Sequence, residues 1–227
     1  MVNERLVVTV DGVAASGKTA LARGLAEKLH FEHLNSGLLY RAVAWAAYQR
    51  GIDLDCAEEV SQLVATHRFE LVKAVGGGAE LLIDGLARSN ELTSEQISAG
   101  ASLVARHAPV RELLLPAQKE AFPGSALVAE GRDMGTVVFP DAPVKFFVTA
   151  ALDIRVQRRA AQLLHKGERV DLDVIRRDLE ARDERDAGRS VAPLKVAPGA
   201  IVIDNSDQPL AAIIERMYQS VQALGPM

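Results

Sequence analysis

Apolar positions recur in two rhythms along this chain. Leu6 to Val10, Phe31 to Leu34, Ala126 to Ala129, Val144 to Thr149 and Ile201 to Ile203 are short apolar runs that predict strands. Between them, apolar residues fall at helical spacing. Leu21, Leu25 and Leu29 recur with Ala22 and Ala26 on the same side, and Tyr40, Val43, Ala44 and Ala47 stripe residues 38–50. Further helices are expected over 56–66, 93–105 and 110–121, then through Arg155 to Leu163, over 171–185, and over 210–224. Five apolar strands alternating with helices predict an α/β fold, a parallel, doubly wound five-stranded sheet with helices on both faces. Phe69–Lys73 and Glu80–Asp84 break that alternation. They flank Gly76-Gly77-Gly78 and predict a hairpin, which sets 62–98 apart as an insertion within a single domain spanning 1–227.

The 227 residues are 48% apolar and 25% charged, with a net charge of −4. That balance allows one sizeable core and gives no global reason to bind a polyanion, so neither nucleic acid nor membrane is an expected partner. One cysteine, Cys56, excludes an internal disulfide and a cysteine-based zinc cluster. No secretory leader and no apolar run approaching a membrane span are visible, so the expectation is a soluble, cytoplasmic chain.

The first strand runs into Gly12-Val13-Ala14-Ala15-Ser16-Gly17-Lys18-Thr19, a full G-x-x-x-x-G-K-[ST] match with a strand before it and a helix after. Gly12 and Gly17 let the backbone wrap closely around an anion. Loop N–H groups and the helix N-terminus then aim positive dipole ends at phosphates. Lys18 adds a full charge near the β and γ phosphates, and the Thr19 hydroxyl is placed to ligate Mg²⁺.

A phosphate loop alone does not choose between kinase, GTPase and motor. Arg41, Arg111, Arg132, Arg182 and Arg189 each sit beside an expected strand end, helix end or loop. Singly, each is more often a solvated charge. Together with a phosphate loop they suit phosphoryl transfer between anions, because guanidinium forks clamp phosphate oxygens. Gly131-Arg132-Asp133 directly follows the third strand of the sheet, and ligands of open α/β sheets bind beyond the carboxyl ends of the strands. A GTPase switch would carry a guanine-reading N-K-x-D segment. Asn205-Ser206-Asp207 lacks the lysine.

Asp11-Gly12 with the loop, Asn35-Ser36-Gly37-Leu38-Leu39-Tyr40-Arg41, the block from Glu130-Gly131-Arg132-Asp133-Met134-Gly135 to Pro140, and Arg182-Asp183-Glu184-Arg185-Asp186 through Arg189 to Leu194 occur in this order. In this the chain resembles bacterial cytidylate kinases over nearly its whole length. The resemblance implies a phosphate-loop kinase that passes the γ-phosphoryl group of ATP, with Mg²⁺, to CMP or dCMP, and a monomer. Other acceptors of the wider class are UMP, AMP and shikimate.

Carried over residue by residue, Arg41, Arg132 and Arg189 look like the clamp on the acceptor phosphate. Ser102, Arg111 and Asp133 look like cytosine readers, Ser36 and Asp186 like sugar contacts, and Tyr40 lines that pocket. Residues 62–98 are then a monophosphate-binding insertion and 155–190 a mobile helical lid. Arg158, Arg159 and Arg182 are expected to bring positive charge to the transferred group, beside Lys18 and Arg132. The family commonly has proline and a further glycine where this chain has Val13 and Ala15, and often aspartate where it has Asn35. Gly12, Gly17, Lys18 and Thr19 are kept, so phosphate binding is expected to be kept.

Overall fold

The computed structural model describes residues 5–74 and 79–223. In chain order it has β1 (Val7–Gly12), α1 (Lys18–Leu29), β2 (Glu32–Asn35), α2 (Gly37–Gln49), α3 (Ala57–Thr66), β3 (Phe69–Lys73), β4 (Ala79–Ile83) and β5 (Leu86–Ala87). There follow α4 (Glu95–Val104), α5 (Ala108–Lys119), β6 (Leu127–Gly131), β7 (Val144–Thr149), α6 (Leu152–His165), α7 (Leu172–Ala187), β8 (Ile201–Asp204) and α8 (Leu210–Gln222). The main sheet is five-stranded in the order β2-β6-β1-β7-β8, every neighbouring pair parallel. All five strands fall on the apolar runs. β1 continues past its apolar residues because pairing persists to Asp11 opposite Gly131 and Gly12 opposite Val148.

Alternation sorts the strands' side chains to two faces. Val8, Val10, Val128, Phe146, Val148 and Ile203 pack with Leu21 and Leu25 of α1 and with Ile213 and Met217 of α8. Val7, Leu34, Leu127 and Ala129 join the apolar residues of α2 to α5 on the other side. The sheet is therefore covered on both faces, as its near-continuous apolar strands require. Each fully buried side chain of this kind contributes about 1.5–3 kcal/mol. A third, smaller core joins Ala14 of the phosphate loop to Val156, Ala160 and Leu163 of α6 and to Ile175 and Leu179 of α7.

Four expectations change in detail. The hairpin is a three-stranded antiparallel sheet, β3-β4-β5, with Phe69 opposite Ile83 and Ile83 opposite Leu86. Gly76-Gly77-Gly78 lies outside the described residues. β4 and β5 are joined by Asp84 and Gly85 with φ of 51° and 80°, the left-handed pair of a tight hairpin turn. The expected helix over 93–105 is a 3₁₀ turn at Ser89–Thr93 followed by α4. There Ser94 Oγ accepts from the Ile97 N–H at 3.2 Å and resets the start. Residues 62 and 98, the expected limits of the insertion, fall inside α3 and α4. The last helix ends at Gln222, and Leu224 lies outside the described residues. Among the described residues no helix is long and apolar enough to cross a membrane.

Candidate active site

β1 is buried throughout and delivers the phosphate loop to the carboxyl edge of the sheet. A Cβ on Gly12 would lie 2.1 Å from the Val148 carbonyl oxygen, so only glycine fits between β1 and β7. Gly17 caps α1 with φ 85°, a left-handed conformation that suits glycine. Ala15 takes φ 55° at the middle of the loop, although it carries a Cβ. Among the described residues, the Lys18 ammonium makes one long hydrogen bond, 3.4 Å to the Val13 carbonyl.

Beside β1, strand β6 ends in Glu130-Gly131-Arg132-Asp133. Asp11 fixes the turn that carries Arg132 and Asp133. Its carboxylate accepts from the N–H groups of Met134 at 2.9 Å and Gly135 at 2.8 Å. Glu130 is buried, with one carboxylate oxygen accepting from the Thr19 hydroxyl at 2.9 Å and the other 3.2 Å from His33 Nε2. Ser36 donates from its hydroxyl to the Glu130 carbonyl at 2.8 Å. Asn35 Oδ1 accepts from the Gly37 N–H at 3.1 Å, so the amide serves the start of α2.

Opposite the loop, guanidinium groups are paired with carboxylates. Arg132 Nε donates to Asp186 Oδ2 at 2.7 Å, and Arg189 binds the other oxygen of the same carboxylate. Arg111 binds Asp133, donates to the Ala105 carbonyl at 3.2 Å, and lies 5.3 Å above the Tyr40 ring. The Ser102 hydroxyl is buried without a hydrogen-bond partner among the described residues. From the helical pair α6–α7, Arg159 contacts Glu95, and Arg182 donates to Ser98 Oγ at 3.3 Å. Just past α6, Lys166 Nζ donates to the Thr93 carbonyl at 2.6 Å.

These groups surround one cleft of about 740 Å³. Ala14, Ala15, Gly17, Lys18 and Thr19 line it together with Ser36, Tyr40, Arg41, Ser102, Arg111, Arg132, Asp133, Asp186 and Arg189, and Arg159 and Arg182 reach it as well. Gly12, Val13 and Ser16 are not part of the lining. Arg158 departs from its expected place. Its guanidinium donates to the carbonyls of Ser16 at 3.3 Å and Asn205 at 2.6 Å, outside the cleft lining. Neighbours on a helix point about 100° apart, and here Arg158 turns to the Ser16 and Asn205 carbonyls while Arg159 turns to Glu95. Sequence reasoning missed Ser98, Glu95 and the individual role of Glu130. Ser98 stands one helical turn before Ser102, a spacing that would have found it.

Burial and like charge shape the electrostatics. Desolvation, aided by Arg132, pulls Lys18 down to about 7. The same causes bring Arg182 to about 9. Burial would raise Asp186, but Arg132, Arg189 and Arg182 outweigh it and hold the carboxyl below its usual range. Burial likewise opposes ionisation of Glu130, and His33, Lys18 and Thr19 outweigh it. Thr19 and Glu130 thus offer a hydroxyl and a charged carboxylate side by side. Such hard oxygen donors fit Mg²⁺, which binds through one or two protein oxygens and substrate phosphates.

A phosphate loop after β1 and an arginine-lined cleft beyond the carboxyl edge of a doubly wound sheet define a kinase of the phosphate-loop class. The cytidylate kinase family model matches residues 8–223, and the chain belongs to that family. It is 43% identical over 222 residues to the cytidylate kinase of Pseudomonas savastanoi pv. phaseolicola, covering 96% of each chain. The cytidylate kinase of Pseudomonas syringae pv. tomato is 44% identical over 218 residues, covering 95% of this chain and 94% of that one. That of Pseudomonas aeruginosa strain LESB58 is 40% identical over 220 residues, covering 96% of each.

Proposed function

We propose that this chain transfers the γ-phosphoryl group of ATP to CMP or dCMP, releasing ADP and CDP or dCDP. The observation that carries the reading is the single cleft in which Lys18 and the loop face Arg41, Arg132 and Arg189, in a member of the cytidylate kinase family. Loop residues 12–19 wrap the ATP phosphates, and Thr19, with Glu130 behind it, holds the Mg²⁺ that shields them. Arg41, Arg132 and Arg189 clamp the acceptor phosphate. Its oxygen is already a nucleophile at neutral pH, so in-line transfer needs no strong base. Lys18, Arg159 and Arg182 offset charge on the transferred group. Arg158 serves by bracing the loop through Ser16. Residues 62–98, which hold the β3–β5 sheet, form the monophosphate-binding insertion, and 155–190 the lid.

Base choice follows from donors and acceptors. Cytosine presents an N4 amino donor that the Asp133 carboxylate accepts, while Arg111 and the Ser102 hydroxyl donate to N3 or O2. Ser36 and Asp186 contact the sugar, with Tyr40 forming the wall. Uracil reverses the first two positions and leaves buried partners mismatched. An ADP-release assay with ATP against CMP, dCMP, UMP, AMP and shikimate tests the reading. The highest kcat/KM is expected on CMP or dCMP. A maximum on UMP refutes the cytosine readers, and one on shikimate refutes the nucleotide acceptor altogether.

A further inference from the structure

The centre of the phosphate loop is strained, and its neighbours are gripped from outside. Ala15 sits at φ 55°, where a Cβ crowds the backbone and glycine would be at ease. Left alone, a loop with this residue favours some other shape. Both flanking residues are held. The Ala14 N–H donates to Asp183 Oδ1 at 3.4 Å, and the Ala14 carbonyl accepts from Arg155 Nη1 at 3.3 Å. Arg155 pairs with Asp183 and anchors itself through Nε on the Ala150 carbonyl at 3.1 Å, where β7 leads into α6. On the other flank, the Ser16 carbonyl accepts from Asn205 Nδ2 at 2.7 Å and from Arg158.

We infer that Asp183 and Arg155 are positioning residues for the donor phosphates, holding the strained loop around Ala15 in its anion-binding shape. Neither lines the cleft, so they act through the Ala14 peptide. The Arg155 side chain is buried, which shields the pair from water. Ala14 is packed in the same small core as Ile175 and Leu179 of α7, so the grip depends on that helix being docked. One turn along α7, Asp186 joins Arg132 and Arg189. A single helix therefore sets the loop on one side and orients acceptor-side arginines on the other.

The inference rests on the reading that the loop binds ATP phosphates, and calorimetric titration of the full chain with ATP separates the two. Absence of ATP binding by the wild type sinks that reading. With the wild type binding, Asp183→Asn and Arg155→Lys are each expected to weaken ATP by about tenfold, one or two hydrogen bonds' worth. The KM for CMP is expected to stay within about twofold, because the acceptor side keeps its pairs. Adding Ala15→Gly, which removes the need to force the loop, is expected to recover ATP affinity to within about threefold of wild type. Should Asp183→Asn fail to fold in a thermal melt, Arg155→Lys with and without Ala15→Gly is decisive by the same criteria. Unchanged ATP affinity in the folded single variants overturns the proposal. So does an Ala15→Gly substitution that recovers nothing, or parallel losses for ATP and CMP.

Discussion

The two walls of the cleft present positive charge in different ways. On the loop wall the charge is sparse and nearly bare: backbone N–H groups, a helix N-terminus, and Lys18 with one long hydrogen bond. On the facing wall Arg111, Arg132 and Arg189 are already fixed by Asp133 and Asp186. Buried guanidinium groups with carboxylate partners keep their charge and geometry before any ligand arrives. An ammonium crowded by protein and by a neighbouring arginine does not, and Lys18 falls to about 7. On the proposed reading, the acceptor wall would thus be assembled in advance by its Arg–Asp pairs, whereas the loop wall would be completed by the anion it binds.

The largest effect should come from removing the bare charge. Lys18→Met is expected to lower kcat by about 10²- to 10³-fold, as for other preorganised groups that meet transition-state charge. CMP binding should be nearly unchanged, as read by titration. Full activity in that variant would make the loop incidental. On the paired wall, Arg132→Ala should lower kcat/KM for CMP by roughly 10²-fold, in kcat and KM together. Asp186 keeps Arg189 as a partner, so the fold should survive, which a melting curve checks. Unchanged kinetics would remove Arg132 from the site.

The same contrast explains how much of the molecule is legible in its sequence. The phosphate loop is contiguous, and its glycines, Lys18 and Thr19 announce their chemistry by spacing alone. The five sheet strands are short apolar runs, and all five are readable as such. The acceptor wall draws on α2, α4, α5, the end of β6 and the end of α7. No local spacing joins Arg41, Arg111, Arg132 and Arg189: their places beside element ends suggest a shared cleft, and only the resemblance divides them into phosphate clamp and base reader. Arg158 and Arg159 are adjacent, and sequence does not say which side of α6 meets the cleft. Asp84-Gly85 is a readable turn signal, but β5 behind it is two exposed residues with no pattern of its own. The strain at Ala15 belongs to a backbone angle that composition does not reveal.

A smaller effect separates the walls by pH. Free protein has Lys18 near half-protonated at pH 7, and above that pH most of its charge is gone. Binding the ATP phosphates favours the protonated form, so association above pH 7 must take up a proton. ATP affinity therefore falls as pH rises, by about fivefold between pH 7 and pH 8 for one group with this pKa. Calorimetry in two buffers of different ionisation heat should show that uptake at pH 8, and Lys18→Met should flatten the slope. CMP affinity should change little over the same interval, because the guanidinium–carboxylate pairs at Asp186 involve no lysine and the CMP phosphate is already mostly ionised. Equal slopes for ATP and CMP would mean that the two walls are charged alike, and that a bare lysine is not what distinguishes them.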